Sequence, residues 1–402
     1  MFEVKHESGK ARSGILYTAH GKVKTPFFMP VATKASVKSV ESEKLAEIGY
    51  EALISNSFIL SMNPSVKTIQ DLGGLHKFMN FKKTIFTDSG GFQVLSKEFL
   101  VKKSDEGAIF KNPKTGIKDL FTPEKSMEVQ IGIGSDVAMT LDDVPHYNQN
   151  GKDYVDSIRR THAWAKRCLE EHKKLKEEHK SKQLLFGITQ GGITKEYRTF
   201  STNKITKMDF DGVALGGMVV GETRKELMNA IHTSLNDLPE TKVRYLMGLG
   251  SPPDIIRAIG AGIDCFDSTY PTANARHGSL ITDQGRIKIL NKKYAEDENP
   301  IMEGCKCEVC KNYSRAYVHY QLKTHELLGY RLATIHNIYY MNNLMERARK
   351  AIKENRYEEF EKEYLEEYFS GSEKPEFSNN IQTKYLKKEE KERPIYYLEH
   401  KK

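Results

Sequence analysis

Leu184-Leu185-Phe186-Gly187-Ile188-Thr189-Gln190-Gly191-Gly192 is a short apolar run that ends abruptly in polar and glycine residues. A run of this length, bounded by turn residues and without polar alternation, reads as a strand buried on both faces. The pattern recurs in Phe27–Ala32, Glu51–Ser55, Thr84–Thr87, Asp136–Leu141, Gly212–Leu215, Arg244–Met247 and Ile263–Phe266. Helix-like stretches separate most of these runs, among them Pro123–Ile133, Tyr154–Lys180 and Glu222–Leu235. Eight βα repeats predict an α/β fold, a (β/α)8 barrel. An open doubly wound sheet is the alternative. No glycine-rich dinucleotide fingerprint follows any of the runs, which counts against it.

Outward from these repeats the chain is less regular. Residues 1–24 carry turn signals at Ser8-Gly9 and His20-Gly21 and read as a small N-terminal β-hairpin region. Ala108–Lys111 and Ile117–Phe121 flank the turn Asn112-Pro113-Lys114-Thr115-Gly116, an inserted hairpin. From Tyr313 long helices are expected, through Ala333–Lys353 to about Phe369, and residues 371–402 form a polar, charged tail. The barrel is thus expected over 25–370. Arg167–Lys182 is charge-rich and reads as a solvated helix face with i,i+4 ion pairs.

Of the 402 residues 38% are hydrophobic, enough for a large core, yet no run of eighteen apolar residues could span a bilayer. The polar start Met1–Lys10 has no apolar signal region, so a cytoplasmic location is expected. A net charge of +8 suits a polyanionic partner but equally suits a lysine-rich surface. Cys168 and Cys265 stand alone and read as packing residues. The other three of the five cysteines form Cys305-Lys306-Cys307-Glu308-Val309-Cys310, a C-x-C-x2-C cluster suited to a metal ion. Zn2+ in a closed tetrahedral site needs a fourth ligand. His319, His325 and His336 follow, and spacing alone does not choose between His325 and His336.

Catalytic groups of a barrel come from the C-terminal ends of its strands. Here those ends carry Asp88-Ser89-Gly90-Gly91-Phe92-Gln93, Asp142-Asp143, Gln190-Gly191-Gly192, Gly216-Gly217-Met218 and Asp267-Ser268. Two carboxylates flanking a glycosidic bond can run a retaining displacement, one as nucleophile and one as acid/base. A third carboxylate, a glutamine and backbone amides can read a purine edge, and glycine pairs let the backbone approach a planar ligand. Any one such Asp could be a helix N-cap, the preferred reading for Asp143 and Asp254.

The chain resembles the tRNA-guanine transglycosylases, the queuine tRNA-ribosyltransferase family. The resemblance rests on the segments beginning at Asp88 and Gln190, Gly216-Gly217-Met218-Val219-Val220-Gly221-Glu222, Arg244-Tyr245-Leu246-Met247-Gly248 and Phe266-Asp267 before Pro271-Thr272. It also includes the cysteine cluster with Thr334-Ile335-His336-Asn337 downstream, and it runs to about residue 370. It implies an irregular (β/α)8 TIM barrel with an inserted zinc-binding subdomain at about 290–340. It also implies one structural Zn2+ held by Cys305, Cys307, Cys310 and His336. Asp267 matches the family nucleophile, which attacks C1′ of the target guanosine, and Asp88 the general acid/base; the two displacements give ping-pong kinetics. Base recognition carries over to Ser89, Asp142, Gln190 and the Gly217 amide. Phe92 and Met247 match plates that sandwich the heterocycle, and Met218 and Glu222 match the loop that meets its substituent. Val220 matches bacterial-type members and favours the small base preQ1 over queuine. The implied substrate is the wobble guanine of GUN anticodons in tRNA; the implied partners are the tRNA, a free 7-deazaguanine base and a second copy of the chain in a homodimer. Arg276, Lys34, Arg286, Lys38 and Lys288 are candidate phosphate contacts.

Two departures bear on substrate. Ala273 stands where most relatives carry Arg after the Pro-Thr pair, which raises a DNA-modifying paralogue as an alternative. Val219 replaces a usual small residue, which leaves preQ0 and queuine open. A non-catalytic RNA-binding partner subunit is a further alternative, opposed by the presence of Asp88, Asp142 and Asp267.

Overall fold

The computed structural model describes residues 1–91, 99–112, 115–145, 151–219 and 221–371. Strands β1 (Phe2–Ser8), β2 (Ala11–Thr18) and β3 (Gly21–Thr25) form an antiparallel sheet, one strand more than a hairpin. β4 (Phe27–Ala32), β5 (Ala52–Asn56) and β6 (Thr84–Asp88) begin the barrel. A second three-stranded sheet is inserted after β6: β7 (Leu100–Lys103), β8 (Ala108–Lys111) and β9 (Lys118–Phe121). The barrel resumes with β10 (Val137–Met139), β11 (Leu184–Thr189), β12 (Gly212–Leu215), β13 (Val243–Leu246) and β14 (Cys265–Ser268). These eight parallel strands close in the order β10-β11-β12-β13-β14-β4-β5-β6, with β6 pairing back to β10. The hairpin β15 (Ser279–Thr282) and β16 (Gly285–Lys288) follows. The closed ring rules out the open sheet.

The both-face apolar runs have a direct reason. Successive side chains point alternately into and out of the barrel. Phe27, Met29, Ile54, Phe86, Val137, Met139, Phe186, Ile188, Tyr245 and Cys265 fill the interior. Their neighbours Phe28, Leu53, Ile85, Ala138, Leu185, Leu246 and Phe266 pack outward under the helices.

Local chemistry sets the element ends. Helix Pro123–Ile133 starts where the Thr122 hydroxyl accepts the Lys125 amide, with Pro at N1, and stops at left-handed Gly134. The helix expected from Glu222 begins at Arg224, because Thr223 and Glu226 form a capping box. β10 is shorter than Asp136–Leu141. The Gln130 amide pairs with Met139 much as a neighbouring strand would, accepting its N–H at 2.9 Å and donating to its C=O at 2.9 Å. Helix Gly151–Glu178 carries a solvated face, but within the charge-rich stretch a Lys174–Glu171 pair sits at i,i+3, and the i,i+4 pair Lys166–Glu170 begins one residue before it. After β16 the chain reaches the long helix Leu327–Lys353, which packs over β4, and ends in helix Tyr357–Ser370.

The N-terminal sheet covers the end of the barrel where its strands start. Leu16 and Val23 join the interior cluster, and buried Arg12 donates to Asp264 at 2.9 Å through Nε and 2.6 Å through Nη2. The polar strand ends at the other end of the barrel are thereby left at its mouth.

Candidate active site and metal centre

Strand parity carries polar side chains into that mouth. Asn56, Asp88, Gln190, Met247 and Asp267 each follow an inward residue by two: Ile54, Phe86, Ile188, Tyr245 and Cys265. Asp88, at the end of β6, receives Asn56 Nδ2 on Oδ2 at 3.0 Å. Its Oδ1 has no hydrogen-bond partner among the described residues. Burial first, and repulsion from Asp267 second, push its carboxyl up to about 8. Asp267, on β14, is buried and accepts at Oδ1 from Tyr245 Oη at 2.6 Å and from the Gly248 amide at 2.8 Å. Burial raises its pKa above the usual carboxylate range, although those two donors oppose the shift.

Beside this pair lies a flat polar cradle. Gln190 Nε2 donates to Asp142 Oδ2 at 2.5 Å. Burial, aided by neighbouring Asp143, pushes Asp142 up to about 7 against that hydrogen bond. A Cβ on Gly91 would come within 2.7 Å of Asp142, and one on Gly217 within 2.1 Å of Gln190 Oε1. Only glycine lets these turns approach so closely, and Gly217 has φ +66°. Buried Ser89 accepts the Gly91 amide at 3.3 Å. Met218 is buried at the edge of the cradle, and Glu222 accepts the amide of Val219, whose φ is 65°. Met247 borders the barrel interior. Phe92 and Val220 lie outside the described residues, as do residues 372–402.

Three contributors went unread in the sequence. Tyr245 and Gly248 hold Asp267, although both lie in the quoted segment Arg244–Gly248; only the inward parity of Tyr245 could have singled it out. Arg198 sits in helix Lys195–Thr206 and is fully buried. It donates from Nε to Gly192 O at 2.7 Å, from Nη1 to Thr189 Oγ1 at 3.3 Å and from Nη2 to Gly216 O. It thereby pins both glycine turns around Gln190. Burial lowers its pKa to about 10, with Glu222 opposing the shift.

Asp143 and Asp254 are not N-caps. Asp143 is buried between Lys103, at 2.9 Å, and Arg160. Ser251 caps helix Pro252–Ala261, while Asp254, in its first turn, pairs with Arg224 at 2.5 Å. In both cases the carboxylate meets a cation, which outweighs a backbone amide as partner. Cys168 and Cys265 are buried packing residues.

Among the phosphate candidates, Lys34, Lys38 and Lys288 are exposed. Arg276 is half-buried, and Arg286 donates to Asn274 Oδ1 at 3.0 Å beside the Tyr270 ring. Ala273 is buried within helix Tyr270–Arg276.

Of the candidate histidines, the fold brings His336 to the cysteine loop. Helix Leu327–Lys353 lays His336 over the cysteine loop, with Nδ1 3.5 Å from Cys307 Sγ and 3.4 Å from Cys310 Sγ. The four ligand atoms, with Cys305, lie within 4.8 Å of one another. Three thiolates and one imidazole fit a closed tetrahedral site. His336 Nε2 meets Ile281 O at 2.8 Å, the outer hydrogen bond that fixes a ligating ring. His325 lies elsewhere, against Tyr330 Oη at 3.0 Å, and His319 against Ile289 O at 2.7 Å.

The family model described as Queuine tRNA-ribosyltransferase matches residues 7–370. A Fusobacterium nucleatum protein named queuine tRNA-ribosyltransferase is 44% identical over 369 residues, 91% of this chain and 98% of its own length. Proteins of the same name from Thermoanaerobacter sp. (strain X514) and Staphylococcus haemolyticus are each 43% identical, over 364 and 365 residues; these alignments span 90% and 91% of this chain and 96% and 95% of theirs. With the closed barrel, the paired carboxylates and the cysteine–histidine cluster all in place, the chain belongs to the queuine tRNA-ribosyltransferase family.

Proposed function

We propose that the protein is a pentosyltransferase, a tRNA-guanine transglycosylase that exchanges a guanine of tRNA for a free 7-deazaguanine base. One observation carries this reading: two buried carboxylates, Asp88 and Asp267, sit at one barrel mouth, near enough that Asp267 raises the pKa of Asp88, beside a carboxylate–glutamine cradle. Asp267 is the nucleophile. Both of its recorded donors act on Oδ1, leaving Oδ2 to attack C1′ of the ribose while guanine departs. Asp88, raised to about 8, is protonated often enough at neutral pH to give a proton to the leaving base. It then takes one from the incoming base, which attacks C1′ and releases Asp267. Two inversions retain configuration and conserve the glycosidic bond's energy without a nucleotide cofactor.

Asp142 accepts from the guanine-type N–H groups, while Gln190 and the Gly217 amide donate to the carbonyl. Ser89 supports the Asp88 turn, Met247 and Phe92 cover the ring faces, and Met218 meets the ring substituent. The wobble guanine of GUN anticodons is the proposed target and preQ1 the proposed base. Lys34, Arg276 and Arg286 contact phosphates, and a cytoplasmic location follows from the substrate. Among the described residues no helix is long and apolar enough to cross a membrane.

Cys305, Cys307, Cys310 and His336 hold one structural Zn2+ in a subdomain spanning about 290–340. The remaining divisions are 1–24, the barrel to 370 and the tail from 371. A homodimer is supported by exposed Tyr317, Tyr320, Leu327 and Leu328 on one subdomain, apolar side chains that a second copy would cover.

The test is exchange of labelled guanine in a GUN stem-loop, in tRNA and in duplex DNA, challenged with preQ1, preQ0 and queuine. Asp267→Asn is expected to abolish both exchange and the covalent RNA adduct. Turnover at the normal rate in that variant, or exchange on DNA alone, rejects the reading.

A further inference from the structure

Far from the catalytic mouth, where the strands begin, Asp136 is fully buried and bonded on both oxygens. Oδ1 accepts the His20 amide at 3.1 Å and meets His20 Nδ1 at 2.7 Å. Oδ2 accepts the Ile85 amide at 2.8 Å and meets His76 Nε2 at 2.9 Å. Among the described residues no Lys or Arg pairs with this carboxylate; its ion-pair partners are the two histidines. A buried carboxylate needs an opposing charge. Here that charge is either a proton on an imidazole or a metal ion.

The rings favour the ion. His20 and His76 are stacked with centroids 3.6 Å apart and planes 20° from parallel. Two imidazolium cations at that separation would repel, whereas a divalent ion takes a lone pair from each ring and places a single cation between them. One nitrogen of each ring and a carboxylate oxygen lie within 4.8 Å of one another. They come from three separate places: the β2–β3 turn, helix Leu75–Phe78 and the residue before β10.

We propose that His20, His76 and Asp136 bind a first-row divalent transition ion, of which Zn2+ is the natural probe. Two imidazoles and one carboxylate are a donor set such ions accept, whereas Mg2+ and Ca2+ ask for oxygen ligands. His20, 43% exposed beside the 13% of His76, supplies the way in and leaves outer coordination positions to water. Binding moves the proton of each neutral ring to its other nitrogen, Nε2 of His20 and Nδ1 of His76, with no net release. A ring that starts protonated gives up one proton to solvent. The ion fastens the β2–β3 turn and helix Leu75–Phe78 to the starts of β6 and β10.

The experiment uses the full chain carrying one zinc per chain, dialysed against free Zn2+ and analysed for bound metal, with melting followed in parallel. The wild type is expected to take up a second equivalent and melt higher for it. His20→Ala and His76→Ala keep one equivalent and gain nothing from added zinc. Cys310→Ala loses the first equivalent and retains the second. Guanine exchange by His20→Ala matches wild type. A wild type that stays at one equivalent overturns the proposal, as does a His20→Ala variant that still takes up two. A wild type without the second ion, whose melting follows pH where that of His20→Ala does not, assigns the opposing charge to a proton and overturns it equally.

Discussion

At the residue scale the mouth trades stability for chemistry. The Asp88 carboxyl stands near 3.8 in an unfolded chain and at about 8 in the fold. Below pH 4 both states are protonated and the group is neutral to stability. Between pH 4 and 8 the unfolded carboxyl ionises first, so stability falls as pH rises, and above 8 the loss is complete. Asp88→Asn does not titrate. It is expected to melt increasingly above wild type from pH 4 to 8, with no further gain beyond, while exchange is lost. Equal melting of the two proteins at pH 8 refutes the assignment. Tyr245→Phe removes one donor from Asp267. A hydrogen bond to a charged group is worth about 1.5–3 kcal/mol, so kcat is expected to fall about 10- to 100-fold. The free-base KM changes little, because Tyr245 touches the nucleophile and not the base cradle.

At the element scale, Arg198 ties two glycine turns to one guanidinium, adding to the Gly216 amide bond to Thr189 O at 3.0 Å. Arg198→Lys keeps the charge but cannot span Gly192 O and Gly216 O together. With one positioned contact to the base loosened, about 1.4 kcal/mol, its KM is expected to rise about tenfold. Steady-state kinetics with varied base and saturating tRNA measure it; an unchanged KM removes Arg198 from the recognition machinery. The same scale explains what could be read in advance. β4 and β12 match their expected bounds, and β11 stops at Thr189 where the quoted run turns to Gln190 and glycine, because apolar packing inside and outside the barrel wrote itself into contiguous residues. β7 escaped notice because Leu100–Lys103 is half lysine and its pairing is with β8 alone. Asp88 and Asp267 were legible as polar ends of apolar runs. Arg198 was not, since a buried arginine on a polar helix looks like any surface one until its carbonyl partners are known. Nor were His20 and His76, which lie 116 and 60 positions from Asp136.

On the scale of the whole molecule, the cysteine–histidine cluster is a fastening between the late chain and the barrel. His336 and Asn337 are neighbours on one helix; Asn337 donates to Pro271 O and Ser279 O, both at 3.0 Å, and accepts the Ile281 amide at 2.9 Å. Pro271 lies four residues beyond Asp267. Stripping the proposed zinc with a chelator is therefore expected to lower the melting temperature and to slow exchange together, with Cys310→Ala behaving alike. Full exchange by a metal-free chain removes the cluster from any role in holding the barrel.

The sheet that plugs the barrel with Leu16 and Val23 has one more consequence. Among the described residues the vessel is stoppered at its base, so a heterocycle reaches the proposed site from the opposite rim. On the proposed mechanism the expelled heterocycle and its replacement share that rim, and the ribose, held meanwhile on Asp267, waits between one passage and the next.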